Sequence, residues 1–522
     1  MNIASQLKAI FIKASNSDKF VLIFILITSI LIRFPFLNAG LFHHDSAQLA
    51  VAVEKLVNNG ELQGIGGGRH GLVIADSVFF YVFKTILRHE SAEFSVNFAS
   101  AFFGVLAVLL LYLFAKELFN DGFIAFSSAV LYSAAPLFLS VSTFAKEHTL
   151  DAFIVILSLY LFIKGIKKSK NMPILISGLI FASLAFVRFP SILAIFSIMY
   201  LAFHSDKISE QGISNMLNNK KFKTMLMFAI PFLIILTIYF LSQSGAFFNE
   251  AKSNFNPFSA GNAKAILFYN LKYSGESILA SLNAVGVLFS IIGLALLFSE
   301  RRHLFYFLLI FFIPLFLFYA SSKTIADRFF VVPIAALIIG IAYAIGNIKK
   351  KNAYAGAIVM VLFLIAFFMN IYPTIKLRSE FSAFKELAGI INDNALPGDS
   401  VVILYGDDTP AINYYSRTPT KTCDYEPDES SIEKFVIRTY NLMNDDLKVY
   451  ISGSCFGLGT KAERQLFLDI MDANFNGVKV AEYVHDDYHR STIKPTLQNV
   501  AMVKLYPENI GNGESLKGII KI

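Results

Sequence analysis

Apolar residues gather along this chain in eleven blocks, at 20–37, 94–115, 123–141, 149–165, 173–187, 190–204, 223–242, 282–299, 303–319, 329–346 and 353–372. Most approach the ~20 residues that an α-helix needs to cross a bilayer. The stretch 173–204 is interrupted only by Arg188-Phe189-Pro190. Counted as one span it would reverse every later loop, so it reads as two short segments that rely on tilt or on neighbours. Past residue 374 the pattern changes. EFSAFKELAGIIND has helical periodicity, ALPGD marks a turn, and VVILYG and VYISG are short buried strands. KAERQLFLDIMD reads as a helix, and VKVAEYV and NVAMVKLY as closing strands. The expected fold is a polytopic α-helical membrane domain of about eleven transmembrane helices over 1–374, followed by a soluble α/β domain over 375–522 with a partly parallel sheet.

Composition sharpens this reading. Of 522 residues, 55% are hydrophobic and 16% charged, too few charges to coat several soluble domains of this total length. Residues 1–374 hold 29 Lys+Arg and 17 Asp+Glu, and residues 375–522 hold 16 and 21, so the positive excess belongs to the membrane part. An acidic tail lacks the basic face that nucleic acid requires. Four basic loops fall on one side: Lys164, Lys167, Lys168 and Lys170; Lys207, Lys220, Lys221 and Lys223; Arg301 and Arg302; and Lys349, Lys350 and Lys351. The positive-inside rule then puts the N-terminus in the cytoplasm and, after an odd number of spans, the C-terminal domain outside. The first block follows Lys8, Lys13 and Lys19 without a small-residue cleavage site, which reads as a retained anchor. The localisation expected is a multi-pass cell membrane protein.

Three segments are then external: 38–93, 243–281 and 320–328. Within the first, 72–88 is aromatic-rich but too polar to span. Phe79, Phe80, Tyr81 and Phe83 alternate with Asp76, Lys84 and Arg88, as in a helix lying at the headgroup boundary that could shape a lipid entrance. Cys423 and Cys455, the two cysteines of the chain, fall in the outer domain, where a disulfide can form; two buried thiols are the alternative.

Three features could carry chemistry. His43-His44-Asp45-Ser46 follows the first span; Asp45-Ser46 also fits a helix N-cap, and adjacent histidines rarely converge on one metal. Lys146-Glu147-His148 with Asp151 lies at an outer mouth, with Glu147 and Asp151 four apart on one helical face. Acidic residues at the edge of a membrane helix usually face a cavity or the bundle interior. Arg69, Arg188, Lys323 and Arg328 are outer cations that topology disfavours; a phosphate at the outer surface would account for them, as would pairing with carboxylates such as Asp327, and Arg188 would also serve as a cap between two short helices. The glycine run 64–68 follows no strand and lies outside the cytoplasm, against a nucleotide loop.

These residues resemble the GT-C class of membrane glycosyltransferases, in the branch holding protein O-mannosyltransferases and the lipid A aminoarabinose transferase. Arg33 and then DSAQLAVAVEKLVNNG, opened by Asp45, resemble the first-loop motif, and EFSVNFASAFFGVLAVLLLYLFAKELF the second span. STFAKEHTLDAFIVILSLYLF is similar to the segment ending in a second acidic position, here Asp151, while LAFVRFPSIL and DRFFVVPIAAL resemble later segments. Relatives often carry Asp-Glu where Asp45-Ser46 stands, and a Lys-Pro-Pro type sequence where this chain has Arg69-His70-Gly71.

The resemblance implies inverting transfer of a sugar from a polyprenyl- or dolichyl-phosphate donor to a hydroxyl of a protein, lipid or polysaccharide. Asp45 would be the general base, and Arg69 and Arg328 would stabilise the leaving phosphate. Glu147 and Asp151 would orient the donor or hold a cation, with His44, His70 and Lys146 lining the substrate site. The branch is generally thought not to need a catalytic metal; no cofactor is required, and a divalent cation stays open. The rival class is a transporter or flippase of lipid-linked saccharides, which would not explain the long first loop or the outer domain.

Overall fold

The computed structural model describes residues 18–65, 69–204, 217–254, 263–322, 325–404, 409–423, 429–457, 461–487, 492–493, 496–507 and 513–520. Lys8, Lys13, Lys207, Lys323 and most of the glycine run lie outside the described residues. The chain divides into two compact units that are not contiguous in sequence: 1–37, 52–377 and 489–494 form one, and 38–51, 378–488 and 495–522 the other.

In the first unit each apolar block falls on helical structure. Seven segments among the described residues are long and apolar enough to cross a membrane: Asp18–Phe36, Ala92–Phe119, His148–Lys167, Lys223–Ser242, Leu267–Glu300, Arg302–Ala320 and Ala353–Asn394. These seven are full-length candidates by length and composition, and the expected count of about eleven is not confirmed. Gly122–Ala134, Asn171–Val187 and Phe189–Phe203 are apolar but shorter, and Ile334–Lys351 ends in three lysines. Breakers account for the shortening. Pro136 starts a new helix after Ala134, and the 173–204 stretch breaks at Arg188, whose backbone is extended. Leu233, Ile234, Leu241, Leu288, Ile291 and Ile365 are exposed along the long helices, as lipid-facing side chains must be where tails replace water.

Helix Ala92–Phe119 is the hub. It packs against Asp18–Leu31, His70–Ile86, Gly122–Ala134 and His148–Lys167. Asn120 ends it in the left-handed conformation (φ 54°), and the Asp121 carboxylate accepts the amides of Phe123 and Ile124 to start the next helix, so two residues reverse the chain. Small residues let other helices touch: a Cβ on Gly293 would lie 1.8 Å from the Gly340 carbonyl oxygen, so helices Ala263–Glu300 and Ile334–Lys351 meet backbone to backbone. Arg33 is fully buried at the end of the first helix. It donates to Ser133 Oγ (2.8 Å), to the Ser133 carbonyl (3.1 Å) and to the Ser29 carbonyl (3.2 Å), over the Phe138 ring. Dipoles and a π face solvate this cation in place of water.

The second unit holds a six-stranded mixed sheet. In chain order the strands are β1 Ser400–Leu404, β2 Thr420–Thr422, β3 Lys448–Ser452, β4 Phe475–Asp487, β5 Thr496–Pro507 and β6 Glu514–Ser515. Their spatial order is β2-β1-β3-β5-β4-β6, with β1 parallel to β2 and β3 and the remaining pairs antiparallel. Helices Glu429–Asn444 and Lys461–Asn474 cover apolar side chains of β1 and β3, with Phe435 and Phe467 in one core with Ile403 and Ile451. Cys423 and Cys455 are joined by a disulfide, their Cα atoms 6.0 Å apart, which ties the end of β2 to the turn after β3.

Candidate active site

The turn 142–147 and the helix behind it are positioned by the hub helix. Asn97 and Ser100 stand three apart on one face of that helix. Asn97 Oδ1 accepts the Ala145 amide (2.8 Å). Ser100 Oγ accepts the Lys146 amide (3.2 Å) and donates to the Lys146 carbonyl (3.3 Å). This fixes Lys146 and Glu147 at the start of helix His148–Lys167, whose first turn carries Asp151.

Glu147 is the centre of the cluster. Arg188 Nη1 donates to its Oε1 at 2.8 Å and Arg69 Nη1 to its Oε2 at 3.4 Å, with Lys146 Nζ 3.9 Å away. Burial alone would push the Glu147 carboxyl up; the pull of Arg69, Lys146 and Arg188 outweighs it and holds the group well below the usual carboxylate range. Asp151 accepts from Ser191 Oγ (2.7 Å) and lies 3.7 Å from Arg188 Nε. Its other oxygen is buried without a hydrogen-bond partner.

Arg188 links these carboxylates. Besides Glu147, it donates to Tyr319 Oη (3.1 Å) and to His148 Nδ1 (3.1 Å), and its guanidinium lies 4.7 Å from the Phe329 ring centroid. Its extended backbone at the helix break aims the side chain inward. Arg188 is thus an interior ion-pair partner and not merely a cap between two short helices. Arg328, in the single 3-10 turn Asp327–Phe330, is buried against the same Phe329 ring. Asp327 is engaged elsewhere, by Thr492 and Ile493. His70 opens helix His70–Ile86 beside Arg69 and is half-buried.

Asp45 and His44 belong to the second unit. His44 Nε2 is 2.8 Å from Asp45 Oδ1, and the Asp45 amide donates to His43 Nδ1 (3.1 Å). The expected N-cap is corrected by one turn position. The His43 carbonyl accepts the amides of Ser46 and Ala47, so Asp45 lies within the first turn of helix His44–Asn59, where an acid still complements the helix dipole. One ligand atom each from His43, His44 and Asp45 fall within 4.8 Å of one another. The adjacent histidines therefore do gather, against the expectation from their spacing.

The reading of 72–88 also changes. It is a helix, but Asp76, Phe80 and Phe83 face inward, and Phe83 packs edge-on to Phe98. Ile74, Val78, Tyr81 and Ile86 are the exposed side chains. Phe80 and Phe83 are core residues, not an entrance. Asp76 Oδ2 is buried without a hydrogen-bond partner, and burial pushes this carboxyl well above the usual range.

Sequence reasoning singled out His148 and Arg188 without giving either a role in the site, and it left Ser191 and Tyr319 out. The signal for Arg188 was its unfavourable outer position; Ser191 and Tyr319 carried none.

Residues 77–240 match the family of dolichyl-phosphate-mannose-protein mannosyltransferases, a stretch that includes Glu147, Asp151 and Arg188. No curated protein matches the chain by sequence. The fold is shared with solved membrane enzymes. ArnT from Cupriavidus metallidurans bound to undecaprenyl phosphate is 13% identical at a TM-score of 0.58, covering 93% of this chain and 98% of that one. The Archaeoglobus fulgidus oligosaccharyltransferase in complex with Zn and sulfate is 16% identical at 0.57, covering 92% and 72%. The archaeal oligosaccharyltransferase AglB from the same organism, in complex with an inhibitory peptide and a dolichol-phosphate, is 15% identical at 0.54, covering 92% and 73%. The resemblance to GT-C membrane glycosyltransferases thus holds in family pattern and in fold, and the chain is a multi-pass membrane protein.

Proposed function

We propose that the protein moves a sugar from a polyprenyl- or dolichyl-phosphate donor to an acceptor hydroxyl at the outer face of the membrane, with inversion. The observation that carries this reading is the knot of Arg69, Lys146 and Arg188 around Glu147, of which Lys146, Glu147 and Arg188 are buried and fall inside the stretch matched to dolichyl-phosphate-mannose-protein mannosyltransferases. Prenyl phosphates are named in two of the structures that share the fold. The N-terminus is cytoplasmic and the C-terminal domain external, as the basic loops require.

In the reaction, the acceptor oxygen attacks C1 of the sugar while Asp45 takes the hydroxyl proton. The C1–O bond to phosphate breaks, and its electron pair leaves with the phosphate. That leaving group needs no proton, so one carboxylate base suffices. Arg69 and Arg328, joined by Arg188, supply positive charge for the phosphate; preorganised charge of this kind is often the largest catalytic contribution. Glu147 has both oxygens on guanidinium groups, so its role is to orient those cations, with Lys146 beside it. Asp151 keeps one oxygen for the donor, and His44 and His70 are the further residues assigned to substrate. The donor set of His43, His44 and Asp45 suits a divalent cation such as zinc; these residues would hold it, and it would supply polarisation of a bound hydroxyl.

The purified protein, given prenyl-phosphate-linked sugars and a hydroxyl acceptor, is expected to release prenyl phosphate and form the product of opposite anomeric configuration, read by NMR. Movement of intact lipid-linked sugar across proteoliposomes without cleavage would replace this reading with the flippase.

A further inference from the structure

The carboxylate next to Arg328 does not pair with it. Asp327 is buried, and its Oδ2 accepts the backbone amides of Thr492 (2.7 Å) and Ile493 (3.4 Å), while its Oδ1 accepts from Thr492 Oγ1 (3.0 Å). Two successive amides aimed at one anion form a nest. The same two residues are gripped from the other side: Ser140 Oγ donates to the Thr492 carbonyl (2.6 Å) and Thr374 Oγ1 to the Ile493 carbonyl (2.8 Å). Thr492 and Ile493 are themselves buried. They lie between β4 and β5, yet residues 489–494 sort with the first unit while the strands on either side sort with the second. The far end of the Arg328 turn is also fixed, since Tyr132 Oη donates to the Val331 carbonyl (3.0 Å).

We propose that Asp327 is a positioning residue, and that Thr492 and Ile493 clamp it so that the turn Asp327–Phe330 presents Arg328 to the donor phosphate. The proposal rests on the phosphate role of Arg328 given above. A short 3-10 turn has few bonds of its own, so the direction of Arg328 depends on what holds Asp327. A segment of the C-terminal 150 residues or so is by this argument part of the phosphate site's frame. A carboxylate bonded to three donors is a rigid anchor, because charge-assisted bonds are short and about twice as strong as neutral ones. Such a frame matters because a guanidinium held in one direction loses less freedom on meeting phosphate.

The test is a double-mutant cycle on full-length protein in nanodiscs, with binding of undecaprenyl phosphate as the readout. Arg328→Ala is expected to weaken binding. Thr492→Val is expected to weaken it about tenfold, the scale of one bond to a charged group, and Thr492→Ser to restore it. In the Arg328→Ala background Thr492→Val should change nothing further. Equal weakening in both backgrounds, or none in the wild type, overturns the positioning role while Arg328 keeps its own. Wild-type binding by Arg328→Ala overturns the phosphate reading and the positioning role with it. Should Thr492→Val fail to fold, Ser140→Ala, which removes the donor to the Thr492 carbonyl, takes its place in the cycle.

Discussion

The charges around Glu147 and those around Asp45 are built in opposite ways. Glu147 meets Arg69 from 78 residues away and Arg188 from 41, and Arg188 reaches Tyr319 across 131. The Arg188 contact is buried and the Arg69 contact part-buried, and neither forms until the helices pack. Asp45 instead meets His43 and His44, its sequence neighbours, and is partly exposed. Taking ions out of water costs several kcal/mol each, which only close opposite charges and hydrogen bonds offset. The first arrangement therefore fixes a positive field whose members cannot move without disturbing the fold. The second sets a carboxylate at a helix start, partly exposed. An enzyme that leaves a phosphate and accepts a proton needs one of each.

Removing Arg188 should have the largest effect, because it strands Glu147 and Asp151 in the interior. Arg188→Ala is expected to destabilise by about 3–5 kcal/mol, the usual cost of breaking a buried pair, seen as a lowered melting temperature in detergent. Arg188→Lys should rescue poorly, since a point charge cannot serve Glu147, Tyr319 and His148 together. A melting temperature equal to wild type for Arg188→Ala would mean that water already reaches Glu147, and the contrast with Asp45 would disappear.

Asp45→Asn should do the reverse. It sits in the first turn of a helix, so the stability cost expected is about 0.3–1 kcal/mol, that of a lost helix-dipole charge. Loss of a general base lowers rate by ~10²–10⁴, so turnover should fall steeply while undecaprenyl phosphate still binds. Near wild-type turnover with an intact fold would remove Asp45 from the chemistry and leave it a helix-start residue.

How much of this was legible depends on the distance over which a contact acts. Glu147 and Asp151 could be paired from sequence because four residues on one helix settle their common face. The Arg188 bonds could not, since they require helices 41 and 131 residues apart to be placed. In the tail, the apolar strands β1 and β3 announced themselves, whereas helix Glu429–Asn444 did not, its apolar positions being diluted by Ser, Thr and Asn. The segment 72–88 was misread for a physical reason. Aromatics alternating with Asp76, Lys84 and Arg88 read as a helix at the headgroup boundary, and alternation does not say which side each group takes. Against lipid the exposed face is apolar, here Ile74, Val78 and Tyr81, and the carboxyl turns inward.

That inversion gives the last and smallest effect, and it sets two buried carboxyls against each other. Asp76 has a carboxyl pushed up by burial, with Oδ2 lacking a partner. The folded protein therefore keeps the Asp76 proton to higher pH than the unfolded chain does. Its stability contribution is whole below the unfolded value, about pH 4, and is lost as pH rises through the window up to the folded value. Glu147 has the opposite sign: its stabilisation is present above the unfolded value and is lost only as pH falls toward its depressed folded one. Asp76→Asn cannot ionise, so it should melt like wild type near about pH 4. It should become the more stable protein as pH rises, by about 1–3 kcal/mol, the scale of an unsatisfied buried polar group. Glu147→Gln should show no such gain at any pH. Parallel melting curves for Asp76→Asn and wild type from acid to neutral pH would mean that Asp76 is solvated in the folded protein, and the helix would then present its polar side to water after all.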